Sequence, residues 1–547
     1  MHNKKILGAS IGNCVHVGGL FHFLKIAEAE GYQTVFLGPA VPLNRLIDEI
    51  KLHKPDIAAL SYRLTPENAE SLFIQLEKMI PENSLEQTAF IFGGTKPAAE
   101  YAKKFGFFKK VFTGEEPPLE INRFLRGKGD KRKENVFPAT LVARIEEKFP
   151  YPLLRHHFGR PSVSETIKGV KKISEAEVLD VISLGTDQNA QEHFFRPEEM
   201  IKELDGAGGV PIRRESDLRK IFLASRCGNF PLMRCYSGTR DLQGWAEMSV
   251  ETINNAWAAI PLTWYSVLDG RSNRQIKDAI SENQQVIQWY AGKRIPVEIN
   301  ESHQWSLRDA HDSLAVAMAY IAAYNAKKAG VRDYVAQYMF NTPPGTSPQM
   351  DLAKMLAKKR MIYSLHDKNF TSYTEVRAGI AHFSPDPLVA KGQLAASAVL
   401  SLSLSPHILH VVGFSEGNHA IHPNELIESC KIVQGVLQNS LYGLPDISHD
   451  ERVMNRMEEL ISEAGLIIKA VKETAAKFVD DPLTDPQTLA CAINTGLLDT
   501  PHFYGNPYLC GRINTRLING GWYAVDPVSG KAVSEEQRIN EIISKEY

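Results

Sequence analysis

The sequence predicts two α/β units in series: an open parallel sheet with helices on both faces, then a closed (β/α)8 barrel carrying a C-terminal extension. Three observations predict this. Short apolar runs alternate with amphipathic stretches from residue 4 to about 120, a charged and irregular stretch then interrupts the pattern, and beyond it eight further strand-like runs recur with helical stretches between them. Strands that alternate with helices imply parallel sheets, because the crossover helix returns the chain to the same end. Eight such units in one stretch are the number that closes a barrel.

In the first unit the strand-like runs are Lys5–Ile11, Thr34–Leu37, Ile57–Ser61, Ala89–Phe92 and Lys110–Phe112, which make residues 1–126 a Rossmann-like, flavodoxin-like domain. Ligands of such sheets bind beyond the carboxyl ends of the strands. Residues 127–151 read as a linker, with the basic run Arg126–Lys133 as a solvated segment. Residues 152–480 supply the barrel through Pro152–Arg155, Val178–Leu184, Phe230–Tyr236, Ile260–Val267, Ile295–Asn300, Tyr334–Phe340, Val376–His382 and Ile408–Phe414. A TIM barrel of this kind carries its chemistry on the loops that follow the strands. Residues 481–547 are rich in turn formers and read as the extension.

Composition narrows the function. With 547 residues, 43% hydrophobic and 23% charged, and no run near the ~18 apolar residues of a membrane span, the chain reads as globular with no membrane partner. Lys and Arg (62) nearly balance Asp and Glu (64), so no global field attracts nucleic acid. The cysteines, Cys14, Cys227, Cys235, Cys430, Cys491 and Cys510, include no CxxC pair, and neither a disulfide framework nor a zinc site is indicated. The N-terminus runs from Met-His-Asn-Lys-Lys straight into a strand without a secretory apolar segment, which leads to the expectation of a cytoplasmic protein.

The first loop carries the sharpest signal. Gly12-Asn13-Cys14-Val15-His16-Val17-Gly18-Gly19 follows the first strand and precedes a helix that begins near Leu20. A histidine there can present an imidazole nitrogen to a metal, and the glycines permit close backbone approach. The bland alternative is a nucleotide-binding or degenerate flavodoxin-like domain in which His16 is structural. The spacing resembles the Asp-x-His-x-x-Gly signature of the base-off, His-on cobalamin-binding family: His16 and Gly19 match, Ser61-Tyr62-Arg63-Leu64 resembles the family's Ser-x-Leu, and Gly93-Gly94 its paired glycines. The resemblance implies cobalamin as cofactor, with His16 as the lower axial ligand to cobalt, Cys14, Gly19, Ser61 and Leu64 among the cofactor-binding residues, and Gly93 and Gly94 admitting the nucleotide tail. Cys14 stands where the family has Asp, whose carboxylate orients the imidazole from behind. A thiol is a weak acceptor, and Asn13 is the other candidate for that role.

The order of the parts resembles the adenosylcobalamin-dependent glutamate (methylaspartate) mutase system, with its small cobalamin-binding and large catalytic components fused. Pro231–Thr239 looks like the family's strand ending in Arg followed by Gly-Thr, Ala329–Val335 resembles the passage that leads toward a Gly-rich loop, here Asn341–Gly345, and Ile493–Pro501 resembles the closing Thr-Gly-x-x-Asp-x-Pro passage. In that family three arginines clamp the substrate carboxylates, a role suited to a planar guanidinium. Arg234 matches one of them and Arg155, or less well Arg160, another, while the third falls near the uncharged Gln191. The family's amine-contacting glutamate falls at Ala258–Pro261, where there is no acid. The resemblance therefore implies an adenosylcobalamin-dependent isomerase that works by a radical mechanism on a small carboxylate-containing substrate other than glutamate, bound by Arg155, Gln191 and Arg234. The related mutases are oligomers, which extends the expectation of a homodimer to this chain.

Two other readings stand beside that one: a corrinoid-dependent methyltransferase and a non-catalytic cobalamin-binding protein. Polar residues at the predicted strand ends, Asp187, Gln188, Asn189, Tyr236, Glu298, Asn300, His303, Gln337, His382, Glu416 and His419, mark the rim on which a barrel site is assembled, and none is assigned a catalytic role.

Overall fold

The computed structural model describes residues 4–546 apart from 84, 86, 117, 128–136, 237, 441, 442 and 476–478. Most of the basic run Arg126–Lys133, and Ser237 of the Pro231–Thr239 passage, lie outside the described residues. The chain divides into two compact units, one of Met1–Arg132 with Glu147–Tyr151 and Leu437–Leu444, the other of Lys133–Glu146, Pro152–Val436 and Pro445–Tyr547.

The first unit is a parallel sheet of β1 (Lys5–Ser10), β2 (Gln33–Phe36), β3 (Ile57–Tyr62), β4 (Ala89–Gly94) and β5 (Phe108–Phe112), in the order β2-β1-β3-β4-β5. Its central strands are apolar almost throughout because both faces are covered. Leu7, Ala9, Leu60, Phe90 and Phe92 point to one face and pack with Leu46, Ile50, Phe73 and Leu76 of two helices. Residues of the opposite register, such as Gly8, point to the helix Gly18–Ala29, whose Leu20 and Leu24 leave no room there for a Cβ. Strand order reverses direction between β1 and β3, and the crevice at that switch point is where an open α/β sheet receives a ligand.

The second unit is the barrel: β6 (Leu153–Phe158), β7 (Val181–Leu184), β8 (Leu232–Cys235), β9 (Ala258–Ile260), β10 (Val297–Ile299), β11 (Asp333–Phe340), β12 (Thr371–Ala378) and β13 (Ile408–His410). First and last strands are laced together, Leu153 opposite Ile408 and Arg155 opposite His410. The seam between β8 and β9 has no ladder among the described residues and is bridged instead by Ala256 N–H to Met233 O (2.9 Å) and Cys235 N–H to Asn255 Oδ1 (3.0 Å). The barrel is thus an α/β fold with a nearly closed eight-stranded parallel wall. Its base is apolar, with Leu153, Val181, Leu232, Val335 and Ile408 packed around Trp257 and plugged by Leu141. Leu141 opens a helix, Leu141–Lys148, inside the stretch 127–151.

Two strands depart from their expected positions. The fourth ends at Ile260, where the run Ile260–Val267 was expected to begin, because Pro261 has no N–H for the ladder and the Glu301 carboxylate takes the N–H groups of Leu262 (2.8 Å) and Thr263 (3.1 Å). The apolar residues that follow serve a loop core in which Trp264 packs on Trp305 and Phe503. The seventh strand begins five residues before Val376, since Thr371–Glu375 pair in unbroken register with Asp333–Gln337, and it stops before Gly379–His382, a loop with a single 3-10 turn.

The extension contributes a helix, Pro486–Asn494, a hairpin of β14 (Asn514–Ile518) and β15 (Gly521–Val525), and a last helix, Glu535–Glu546. The Ile493–Pro501 passage braces this extension, because Asp499 accepts the N–H groups of Gly511 (2.8 Å), Arg512 (2.8 Å) and Ile513 (3.1 Å). Among the described residues no helix is long and apolar enough to cross a membrane.

Candidate functional sites

At the carboxyl end of β1 the chain turns through Gly12, whose φ of +66° and contact with Leu72 suit only glycine. Ser10, fully buried, pins the loop by donating from Oγ to Cys14 O (2.8 Å). Cys14 is buried while Val15 and His16 are exposed, so the imidazole projects from a fixed base. His16 Nδ1 lies 3.8 Å from Cys14 Sγ, and that sulfur also accepts the N–H of Arg63 at 3.3 Å. Asn13 Oδ1, the other candidate acceptor, is taken by the Tyr62 hydroxyl (3.0 Å).

The other elements singled out in the sequence line up with this loop. Ser10, Ser61 and Gly93 are register partners across β1, β3 and β4, and register partners share a face. Ser61 is nearly buried, its carbonyl receiving Ile11 N–H (3.0 Å), and Leu64 packs against the core. A Cβ on Gly93 would meet nothing within 4 Å, and the same holds for Gly19 in the first turn of the following helix. Gly94 is different: a Cβ there would stand 2.5 Å from Tyr62 O and 2.8 Å from the Phe92 ring. We therefore expect Gly94→Ala to destabilise the first unit by about 1–3 kcal/mol and Gly93→Ala to leave its thermal midpoint unchanged, compared by circular dichroism. Equal midpoints for the two variants would refute this.

In the barrel, alternate residues face inward and build layers. Above the apolar base come Arg155, Ser183, Arg234, Glu298, Gln337 and Glu375. Arg155 Nε donates to Glu375 Oε1 (2.6 Å), and Arg234 Nη1 to Glu298 Oε2 (3.2 Å). Both pairs are essentially unexposed, and both guanidinium groups lie over the Trp257 ring, at 5.8 and 4.8 Å from its centre. Glu298 further accepts from Trp257 Nε1 (2.8 Å) and Gln337 Nε2 (2.9 Å). Desolvation pulls the Arg155 guanidinium down to about 10 and, against the pull of Arg155, pushes the Glu375 carboxyl up.

One step nearer the mouth stand His157 and Tyr236. His157 Nε2 receives both Arg155 Nη1 (2.9 Å) and the Tyr236 hydroxyl (2.6 Å), which puts the ring proton on Nδ1. Burial, then the charges of Arg155 and Arg234, hold the imidazole well below its ordinary value, so it is neutral.

Tyr236 forms part of the lining of a cavity of about 940 Å³ that opens among the loops after the strands, a volume suited to a small ligand. Of the residues expected at the rim, Gln188, Tyr236, Asn300, His303 and Gln337 line it, as does Gln191 of the expected substrate clamp. Arg155 and Arg234 are not in the lining. They lie fully buried, although Arg155 Nη2 and Arg234 Nε and Nη2 make no hydrogen bond among the described residues. Asp187 instead caps the helix Gln188–His193 and binds Arg213 (2.6 Å), Asn189 donates to Ile201 O (2.7 Å), and His382, Glu416 and His419 lie outside the lining.

The wall formed by Asn341 and Thr342 is held from behind. Asn341 N–H donates to Asp351, and Lys354 Nζ donates to Thr342 O (2.8 Å) while paired with Asp312 and Asp351 (3.1 Å each). Arg377, on β12, also lines the cavity and went unnoticed in the sequence. Its signal was the alternation Glu375-x-Arg377, visible only once the strand's frame is known. Among the described residues no group of His, Cys, Asp and Glu side chains could hold a metal ion.

No protein-family model and no curated protein sequence matches the chain. Among solved structures it is similar to a cobalamin-binding protein from Desulfitobacterium hafniense DCB-2, at 22% identity over 23% of this chain and 60% of that one, with a TM-score of 0.20. The chain thus spans 60% of the length of that protein. It is also similar to the apo, selenomethionine-labelled form of OxsB, a cobalamin-dependent S-adenosylmethionine radical enzyme, at 8% identity over 92% of this chain and 72% of that one, with a TM-score of 0.17.

Proposed function

We propose that the first unit binds cobalamin through His16 and that the chain is a cobalamin-dependent isomerase of a small carboxylate-containing substrate, which the barrel cavity receives. The observation that carries this is the His16 loop. The imidazole stands exposed at the carboxyl end of β1 with Nδ1 against Cys14 Sγ and Nε2 turned to no partner among the described residues, beside a row in which Gly93 leaves open space. That arrangement fits a metal ligand on Nε2 and a bulky tail over Gly93. When bound, adenosylcobalamin supplies the radical chemistry of a cobalt–carbon bond.

The chain's own residues bind and shield. With the ring proton on Nδ1, which faces Cys14 Sγ, the Nε2 lone pair would be free for the metal. In the barrel, Gln191 meets the substrate from the wall, and Arg155 and Arg234, each paired with a glutamate, keep unmade donors beneath the floor. The Tyr236 hydroxyl holds its proton toward neutral His157, and the water-poor ionic layer below keeps solvent from reacting groups. Because the wall is largely polar and carries the guanidinium of Arg377, it suits a carboxylate, and a mixture of small deuterated acids is the test. Incubated anaerobically with adenosylcobalamin, the chain is expected to move label between one acid and the cofactor's 5′ carbon. Transfer of a methyl group from methylcobalamin without such exchange would make it a methyltransferase, and binding without either would make it a cobalamin-binding protein.

A further inference from the structure

We propose that Arg377 is the anchor for a single carboxylate in the barrel cavity, ahead of Arg155 and Arg234. This deepens the reading of a small-carboxylate substrate and rests on it. The cavity lining contains two arginines, Arg271 and Arg377. Arg271 is already compensated, with Nε 3.6 Å from Asp269 and its guanidinium stacked 4.7 Å from the centre of the Tyr265 ring. Arg377 has no carboxylate within ion-pair distance among the described residues, and its one hydrogen bond there runs from Nε to Ala378 O at 3.4 Å. It is half-buried, two residues beyond Glu375 on the same inward face of β12, and so stands one step nearer the mouth than the Arg155–Glu375 pair.

A partly desolvated guanidinium without a counter-ion is costly, and a ligand that brings one relieves that cost. The charge balance sets the ligand's valence. His303 faces the same cavity, and burial, with Arg377 as the next cause, keeps its imidazole well below the ordinary value. Burial likewise pushes the Tyr265 hydroxyl up to about 12, so neither ring carries charge near neutrality. Glu192, the acid of the lining, disfavours a second negative charge. Arg377, with no carboxylate in ion-pair distance among the described residues, is matched by one carboxylate, which a guanidinium meets through two parallel N–H···O bonds, and the second charge of a dianionic phosphate would find no cation and would share the cavity with Glu192.

The test uses the full chain without cobalamin and 4,4,4-trifluorobutyrate as probe, followed by fluorine NMR. The wild type is expected to bind it saturably. Arg377→Met is expected to weaken binding roughly tenfold or more and Arg271→Met by less than about threefold, while 4,4,4-trifluorobutyramide fails to compete. Unchanged affinity in Arg377→Met, an amide that binds as well as the acid, a phosphonate that displaces the acid at lower concentration, or no binding by the wild type would each overturn the proposal. Should Arg377→Met not fold, the acid-against-amide comparison on the wild type still decides. Cobalamin binding is followed separately by its visible spectrum, so acid binding without cobalamin binding sinks the cofactor reading and leaves Arg377 standing.

Discussion

Replacing His16 with alanine is expected to erase histidine ligation of cobalt in the cobalamin-loaded chain. Among the described residues of the β1 loop, His16 alone carries an exposed ring nitrogen with no protein partner, and Val15 beside it offers only hydrocarbon. In the cobalt(II) form, one 14N ligand splits each EPR line into three and a 15N-histidine label into two. The wild type should show that change of pattern on labelling, and the pattern of His16→Ala should not respond to the label. An unaltered pattern in the variant would remove His16 from the metal. Cys14 should tune the same bond. A carboxylate in its place would accept both the Arg63 N–H and the imidazole N–H more strongly than a thiol, so Cys14→Asp is expected to tighten binding by about 10–100-fold, the usual reach of such supporting groups. Weaker binding in Cys14→Asp would mean that the buried pocket rejects the charge.

The second large effect lies in the barrel's ionic layer. Glu298 balances Arg234 and receives two further donors, so Glu298→Leu leaves a buried cation and two unmet N–H groups. Breaking one side of a buried pair costs about 3–5 kcal/mol, and the loss should appear as a lower denaturant midpoint. All six tryptophans, Trp245, Trp257, Trp264, Trp289, Trp305 and Trp522, belong to the second unit, so their fluorescence reports that unit alone. Adding Arg234→Met to the variant should restore part of the loss, because it removes the stranded charge. A single variant as stable as the wild type would show that Arg234 finds another partner.

All eight barrel strands and all five of the open sheet overlap an apolar run because parallel strands are covered on both faces, and that burial leaves apolar residues in each of them. The fourth strand was displaced because a buried loop leaves the same apolar mark. Trp264 and Leu262 are as hidden as any strand residue. The β14–β15 hairpin had a signal of its own, Asn519-Gly520 with both residues at positive φ between β-forming runs, lost among the turn formers around it. In the first unit the placement of three candidate residues was legible, Ser61 and Gly93 as next-to-last residues of β3 and β4 and His16 in the loop after β1, because the alternation of strand and helix patterns marks those ends. Arg155 and Arg234 were legible as arginines on strands, but their partners Glu375 and Glu298 stand 220 and 64 residues away, and nothing local announces such a pairing. Arg377 was missed because a strand frame shifted by five residues placed it at the start of a run rather than near its end.

Gly93 and Gly94 are neighbours that are glycine for opposite reasons, one facing emptiness and the other a carbonyl oxygen. Lineages of this chain can therefore part company at two adjacent codons. Under the proposed cofactor reading, a descendant that abandons its ligand would be released to drift at the first while selection for folding still holds the second, so a larger residue at 93 beside an intact glycine at 94 would be the scar of a cofactor given up.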